Sequence, residues 1–206
     1  MKLRSPSADK ICAAAVSHFS ERGYDASSLS EIAAQVGMRK ASLYSHFASK
    51  EALFLDVFAD ALHEERQFVQ GCFEDEANQP GQAGTTRQVG ALYCMRMAQR
   101  YAQSAHLRFL LRTAYLPPAP IRAHIASGYE AMLQQLQDSY RQQLRAHPDG
   151  ARLSDRQIDL YAQAYLGIID SLHVELIYAG EAGFETRRLA LWQMLSDSLT
   201  LAAQSA

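Results

Sequence analysis

Apolar residues recur along almost the whole chain at steps of three and four, and the strict alternation of a half-buried strand is nearly missing. That period places one stripe of each segment against a core and predicts an all-α chain. In the first segment Ala8, Ile11, Cys12, Ala15 and Phe19 form such a stripe, and Gly23 ends it where a left-handed C-cap is favoured. Ser28-Leu29-Ser30-Glu31 reads as a capping box, in which the serine accepts from an orphan amide and the glutamate reaches back. The short helix it opens should bury Leu29, Ile32, Ala33 and Val36 and stop at Gly37. After a turn at Gly37-Met38, a second short helix is expected over residues 39–46. Ser49 should then cap a long fourth helix carrying Leu53, Phe54, Val57, Phe58, Ala61 and Leu62.

Residues 74–87 are acidic and then rich in Gly and Pro, and are expected as an exposed loop. Helices are predicted over 88–104, 105–115, 121–146, 154–179 and 186–203. Pro117-Pro118, the turn at His147-Pro148-Asp149-Gly150, and Gly180 with Gly183 separate them, and Ser154 with Gln157 forms a second capping box. The expectation is nine helices and no sheet, divided into a head over 1–55 and a larger domain over 56–206. The helices near 155–179 and 186–203 are apolar on more than one face. A surface helix needs one apolar stripe, so the surplus predicts a second subunit, and a homodimer is the commonest assembly.

Charge is unevenly placed. Residues 1–55 hold seven basic side chains against five acidic ones, while the rest hold thirteen Arg against seventeen Asp or Glu. All the lysines lie within the first 50 positions. A mildly basic head on an acidic body fits a protein whose head alone approaches phosphates. Three scattered cysteines (Cys12, Cys72, Cys94) without C-x-x-C spacing form neither a disulfide framework nor a zinc ribbon. With no apolar run of about 18 residues and no apolar segment after the basic N-terminus, a soluble cytoplasmic protein without a membrane span is expected.

Two short helices joined by a Gly-containing turn match a helix–turn–helix, whose second helix enters the major groove. Here that second helix points Leu43 and Phe47 inward, leaving Arg39, Lys40, Ser42, Tyr44, Ser45 and His46 to face out, with Ala41 small enough for close approach. Residues 8–58 resemble the N-terminal DNA-binding domain of the tetracycline-repressor (TetR) family of bacterial transcription regulators. The resemblance rests on Phe19-x-x-x-Gly23-Tyr24-Asp25-Ala26-Ser27-Ser28-Leu29, on Ile32-Ala33-x-x-Val36-Gly37, and on Ser42-Leu43-Tyr44-x-His46-Phe47-x-x-Lys50-Glu51-x-Leu53. It implies that Ser28 caps the second helix and touches a phosphate, with Ser30 near the groove. Lys40, Ala41 and Ser42 would meet bases or the adjacent backbone, and Tyr44, His46 and Lys50 would hold phosphates. Ala41 beneath Arg39-Lys40 departs from the Gly, Pro or Thr of many relatives, so base preference is not transferable.

Enzyme-like motifs fail on their own chemistry. His63-Glu64-Glu65-Arg66-Gln67 starts like a zinc-protease helix but has Gln where the second histidine ligand belongs. Ser7-x-x-Lys10 stands without companion motifs. No catalytic residue, cofactor or metal is therefore expected. The expected function is a homodimeric repressor released from a palindromic DNA operator by a small, partly apolar effector. The alternatives are an activator of the same architecture and a helical interaction module without DNA binding. Effector pockets are apolar with a few placed polar groups. On that basis Tyr101, Arg112, Tyr129, Met132, Asp170 and His173 are the expected lining, with the fourth helix joining pocket to head.

Overall fold

The computed structural model describes residues 4–78 and 89–205, and among them there are nine α-helices and no strand. They are α1 (Pro6–Arg22), α2 (Leu29–Gln35), α3 (Lys40–Tyr44), α4 (Lys50–Asn78), α5 (Ala91–Gln103), α6 (Ala105–Tyr115), α7 (Arg122–Ala146), α8 (Asp155–Tyr178) and α9 (Gly180–Gln204). Single 3-10 turns at Ala119–Ile121 and Gly150–Arg152 lead into α7 and α8. No helix among the described residues is long and apolar enough to cross a membrane.

The chain folds as two compact units. The first takes Met1–Glu65 and Tyr101–Glu130, and the second Arg66–Arg100 and Ala131–Ala206. In the first unit the predicted stripe of α1 is buried, with Ile11, Ala15 and Phe19 fully inaccessible. Phe19, Phe54 and Phe109 pack ring against ring, 4.8 Å for the first pair and 4.9 Å for Phe54–Phe109, so aromatic edges tie α1, α4 and α6 together. Gly23 ends α1 with φ 75° and ψ −178°, a region closed to residues with a Cβ, and its N–H closes on Phe19 O. It is not the left-handed helical cap of the sequence expectation: the chain leaves extended.

In the second unit Tyr140 stacks on Tyr165 at 4.2 Å, and the Tyr165 hydroxyl donates to Gly90 O. Tyr161 donates to Ser198 O, fastening α8 to α9. The Ser154 capping box forms as expected, with Gln157 Oε1 accepting from the Ser154 amide and Ser154 Oγ from Gln157 N.

Two boundaries differ from expectation. Residues 74–78, expected in a loop, continue α4, while the rest of that segment and the start of the predicted helix at 88 lie outside the described residues. The reason is non-local: Glu76 is buried and its carboxylate accepts from Gly90 N (2.6 Å) and Leu92 N (3.0 Å), which caps α5. The last helix begins at Gly180 rather than near 186. Gly180 makes the turn at φ 72°, and buried Phe184 anchors the added turns. At Gly183 a Cβ would fall 2.8 Å from the Ala179 side chain, so α9 starts tight against the end of α8.

Candidate nucleic-acid interface

In the first unit α2 and α3 are short because their sequences supply only one buried turn each. Leu29, Ile32 and Ala33 hold α2, and Leu43 with Phe47 holds α3. Between them the backbone turns at Gly37, φ 70°. Pinning Leu43 at 0% exposure fixes the rotation of α3, and its other face follows from helical geometry. Arg39, Lys40, Ala41, Ser42, Tyr44, Ser45 and His46 are all exposed. The regular helix is shorter than the predicted 39–46, yet every outward residue named from sequence faces solvent. Ser45 Oγ donates to Ser42 O, and the Lys40 ammonium sits 6.0 Å from the Tyr44 ring centre.

The entry into α2 is built differently from the expected capping box. Ser28 is the N-cap, but its hydroxyl accepts from Ser30 N at 3.2 Å. The Ser28 amide donates to Nε2 of His18, a buried residue of α1, at 3.4 Å. Glu31 turns away to Arg22 (2.8 Å), and its carboxylate also lies 3.3 Å from the same His18 nitrogen, which accepts from the Ser28 amide or donates to Glu31 but not both at once. Thus α1 supplies the partners that a local capping box would have used. Sequence reasoning does not single out His18, although a histidine beside Phe19 on a buried stripe is its signal.

Lys50 also points elsewhere than the resemblance implies. Its ammonium donates to Tyr24 O (2.6 Å) and Ser27 O (3.1 Å) and lies 4.4 Å from the centre of the Tyr24 ring. All of this ties the start of α4 to the loop before α2, and it engages the charge inside the unit.

The residues expected around an effector divide between the two units. Tyr101, Arg112 and Tyr129 belong to the first unit, where Tyr129 packs edge-on against Tyr115. Arg112 is exposed and donates to Glu21 O at 3.4 Å, and its guanidinium covers Gly23. A cation at the last carbonyls of α1 complements that helix's dipole. Met132, Asp170 and His173 lie in the second unit. Met132 lines a cleft between α4, α5 and α7, Asp170 is half-buried in α8, and His173 is buried, with its pKa lowered to about 3 by loss of solvation.

Comparison with known proteins meets this geometry at the head. Residues 11–57 match the family model described as bacterial regulatory proteins, tetR family. The biofilm operon icaADBC HTH-type negative transcriptional regulator IcaR of Staphylococcus aureus (strain Newman) is 50% identical over 46 residues, 22% of this chain and 25% of that one. Its Staphylococcus epidermidis counterpart is 38% identical over 65 residues, 32% of this chain and 29% of that one. The matched stretch is thus about a quarter of the length of these curated relatives. Over the whole chain the likeness is one of fold. A TetR transcriptional regulator from Chloroflexus aurantiacus superposes with TM-score 0.72 at 16% identity, covering 92% of this chain and 94% of that one. FadR of Bacillus subtilis, solved in complex with stearoyl-CoA, does so with TM-score 0.61 at 19% identity, covering 91% and 96%. Residues 11–57 therefore match the tetR family of bacterial regulatory proteins, in a chain with the fold of TetR-family regulators.

Proposed function

We propose that the protein is a homodimeric transcriptional repressor that leaves a palindromic DNA operator when a small, partly apolar effector binds its second unit. The observation that carries this reading is the outward face of α3, where Arg39, Lys40, Ser42, Tyr44, Ser45 and His46 are exposed together on the tetR-family domain. Arg39 and Lys40 supply the charge that phosphates attract, and Ala41 with Ser42 comes close to base edges. Ser28, Ser30, Tyr44 and His46 position the backbone, as phosphate contacts do. The sign of regulation follows the IcaR relatives, whose names record negative control.

Dimerisation is assigned to α8 and α9. Leu160, Tyr178, Leu189, Met194 and Leu201 are each more than half exposed on these helices. Gly167 also lies in the open, and a Cβ placed on it would meet nothing within 4 Å. Burying this apolar surface is the driving force. α4 runs from the recognition head into the second unit, so it is the covalent path by which an effector reaches the DNA-binding surface.

The test is selection of bound fragments from a random duplex pool by the purified protein, followed by sedimentation of wild type and Gly167→Arg. The expected result is a two-fold symmetric site and a wild-type dimer that the arginine splits. An absence of sequence enrichment would leave the helical interaction module as the better description. Unchanged sedimentation of Gly167→Arg would move the interface off this face.

A further inference from the structure

The imidazole of His18 stands between two groups with opposite demands. Its Nε2 lies 3.4 Å from the Ser28 amide, a donor, and 3.3 Å from Glu31 Oε2, an anion. The ring is buried, with 2% of its side chain exposed. A neutral Nε2 accepts from the amide and then faces the carboxylate with no proton to offer it. A protonated Nε2 donates to Glu31 and leaves the amide without its acceptor. No single protonation state serves both. Arg22, on α1 itself, holds the same Glu31 oxygen at 2.8 Å. From α4, Lys50 reaches the adjoining loop at Ser27 O (3.1 Å), and from α6, Arg112 reaches Glu21 O (3.4 Å). Both of those cations are engaged with backbone carbonyls, which leaves Glu31 shared between Arg22 and His18.

We propose that His18 is a positioning residue of the head, whose uptake of a proton tightens the hold on duplex DNA. The neutral ring holds the Ser28 amide and leaves Glu31 to Arg22. When Nε2 takes a proton from solvent, the charged ring holds Glu31 instead. The formal charge of His18, Arg22 and Glu31 together then rises from zero to plus one. Glu31 lies on the same turn as Ser28 and Ser30, the residues assigned above to the DNA backbone. The added charge therefore acts close to the phosphates, and Glu31 repels them less. The cap survives the exchange, because Ser28 Oγ accepts from Ser30 N in either state, and half-buried Ser28 leaves its amide within reach of water. Histidine is the side chain that ordinarily changes charge between about pH 5 and pH 8, the range in which the exchange is sought. The affinity gain rests on the DNA-binding reading above, whereas the exchange of partners is measurable in the free protein.

The experiment follows the full-length protein by NMR, reading the His18 ring and the Ser28 amide from about pH 8 down to about pH 5.5. The amide should shift with the same midpoint as the ring, and Glu31→Gln should lower that midpoint. A Ser28 amide that did not follow the ring would overturn the exchange. Binding to a mixed-sequence duplex at fixed salt is then measured over the same range. Between about pH 8 and pH 6 the wild type should gain affinity on the order of fivefold more than His18→Gln. His46, exposed on α3, is present in both proteins, so its contribution cancels. Equal gains, with or without a lower unfolding temperature for the variant, would show a purely structural histidine and overturn the proposal. Glu31→Gln keeps the test open if His18→Gln does not fold, since it alters only an exposed side chain. It should bind duplex more tightly at about pH 8 and gain less on acidification, and an undiminished gain would sink the assignment. If no duplex bound at any pH, the reading of the head would fail and the affinity gain with it, while the Ser28 titration would still decide the exchange.

Discussion

Helix α3 of the first unit and the charged groups buried in the second hold their charge in opposite ways. On α3 the basic side chains stand in water, and among the described residues no ion pair engages Arg39 or Lys40. In the second unit Glu76 is turned inward onto two backbone amides, and Glu175 is buried against Arg187. A charge left in water costs the fold almost nothing and stays available to a partner. Burial of a charge is expensive unless it is hydrogen-bonded, and then its removal is costly. The contrast separates residues that hold the fold from residues that meet a partner, and it gives each group a measurable signature.

The largest effect should come from Glu76→Ala. It strips two buried amides at the start of α5 of their acceptor, and a loss of about 3 kcal/mol in unfolding free energy is expected by chemical denaturation. A loss near zero would mean that water replaces the carboxylate, and the comparison would weaken.

Lys50 sharpens the contrast inside the head itself. Because its ammonium holds the carbonyls of Tyr24 and Ser27, Lys50→Met should cost about 2 kcal/mol of stability. Its DNA binding should keep the salt dependence of the wild type. A salt slope lowered by about one with stability intact would return Lys50 to the phosphate contacts.

Acid tests the buried side of the comparison. His173 has a folded pKa lowered to about 3 by burial, against an ordinary value of 6.5, so the unfolded chain binds the proton first. Stability is complete above about pH 6.5 and is lost as the pH falls from there towards 3. At pH 5 the loss is about 2 kcal/mol from this group. Replacing His173 by Gln should flatten the slope of unfolding free energy between pH 6.5 and 5; an unchanged slope would exclude His173 as its source.

The smallest effect on stability is expected at the recognition face. Arg39→Ala and Lys40→Ala should each change unfolding free energy by less than about 0.5 kcal/mol. Each should still lower the salt slope of DNA binding by about one unit. Destabilisation comparable to that of Lys50→Met would show that these cations also serve the fold.

Particular residues show how far each kind of reading reaches. The outward set on α3 is legible because one buried residue, Leu43, sets the rotation of a short helix and leaves no choice for the rest. The cap at Ser154 is legible because both partners lie within one turn. The box at Ser28 is not, since His18 and Arg22 come from α1 and take the groups that Glu31 and the Ser28 amide would have exchanged. Arg112, expected from its apolar neighbours as pocket lining, lies exposed at the end of α1.

Sequence by itself determined the helical class, the helix–turn–helix, and the core stripes, all of which follow from periodicity and from caps within a few residues. Tertiary structure alone decided how far α4 and α9 extend, which acceptors Lys50 meets, and which two groups share the His18 nitrogen. The physical reason is range. Helical period and capping act over one or two turns, where spacing dictates contact. The choice of partner for a charge depends on which helices pack together, and residues 26 positions apart, as Lys50 and Tyr24 are, meet only after packing.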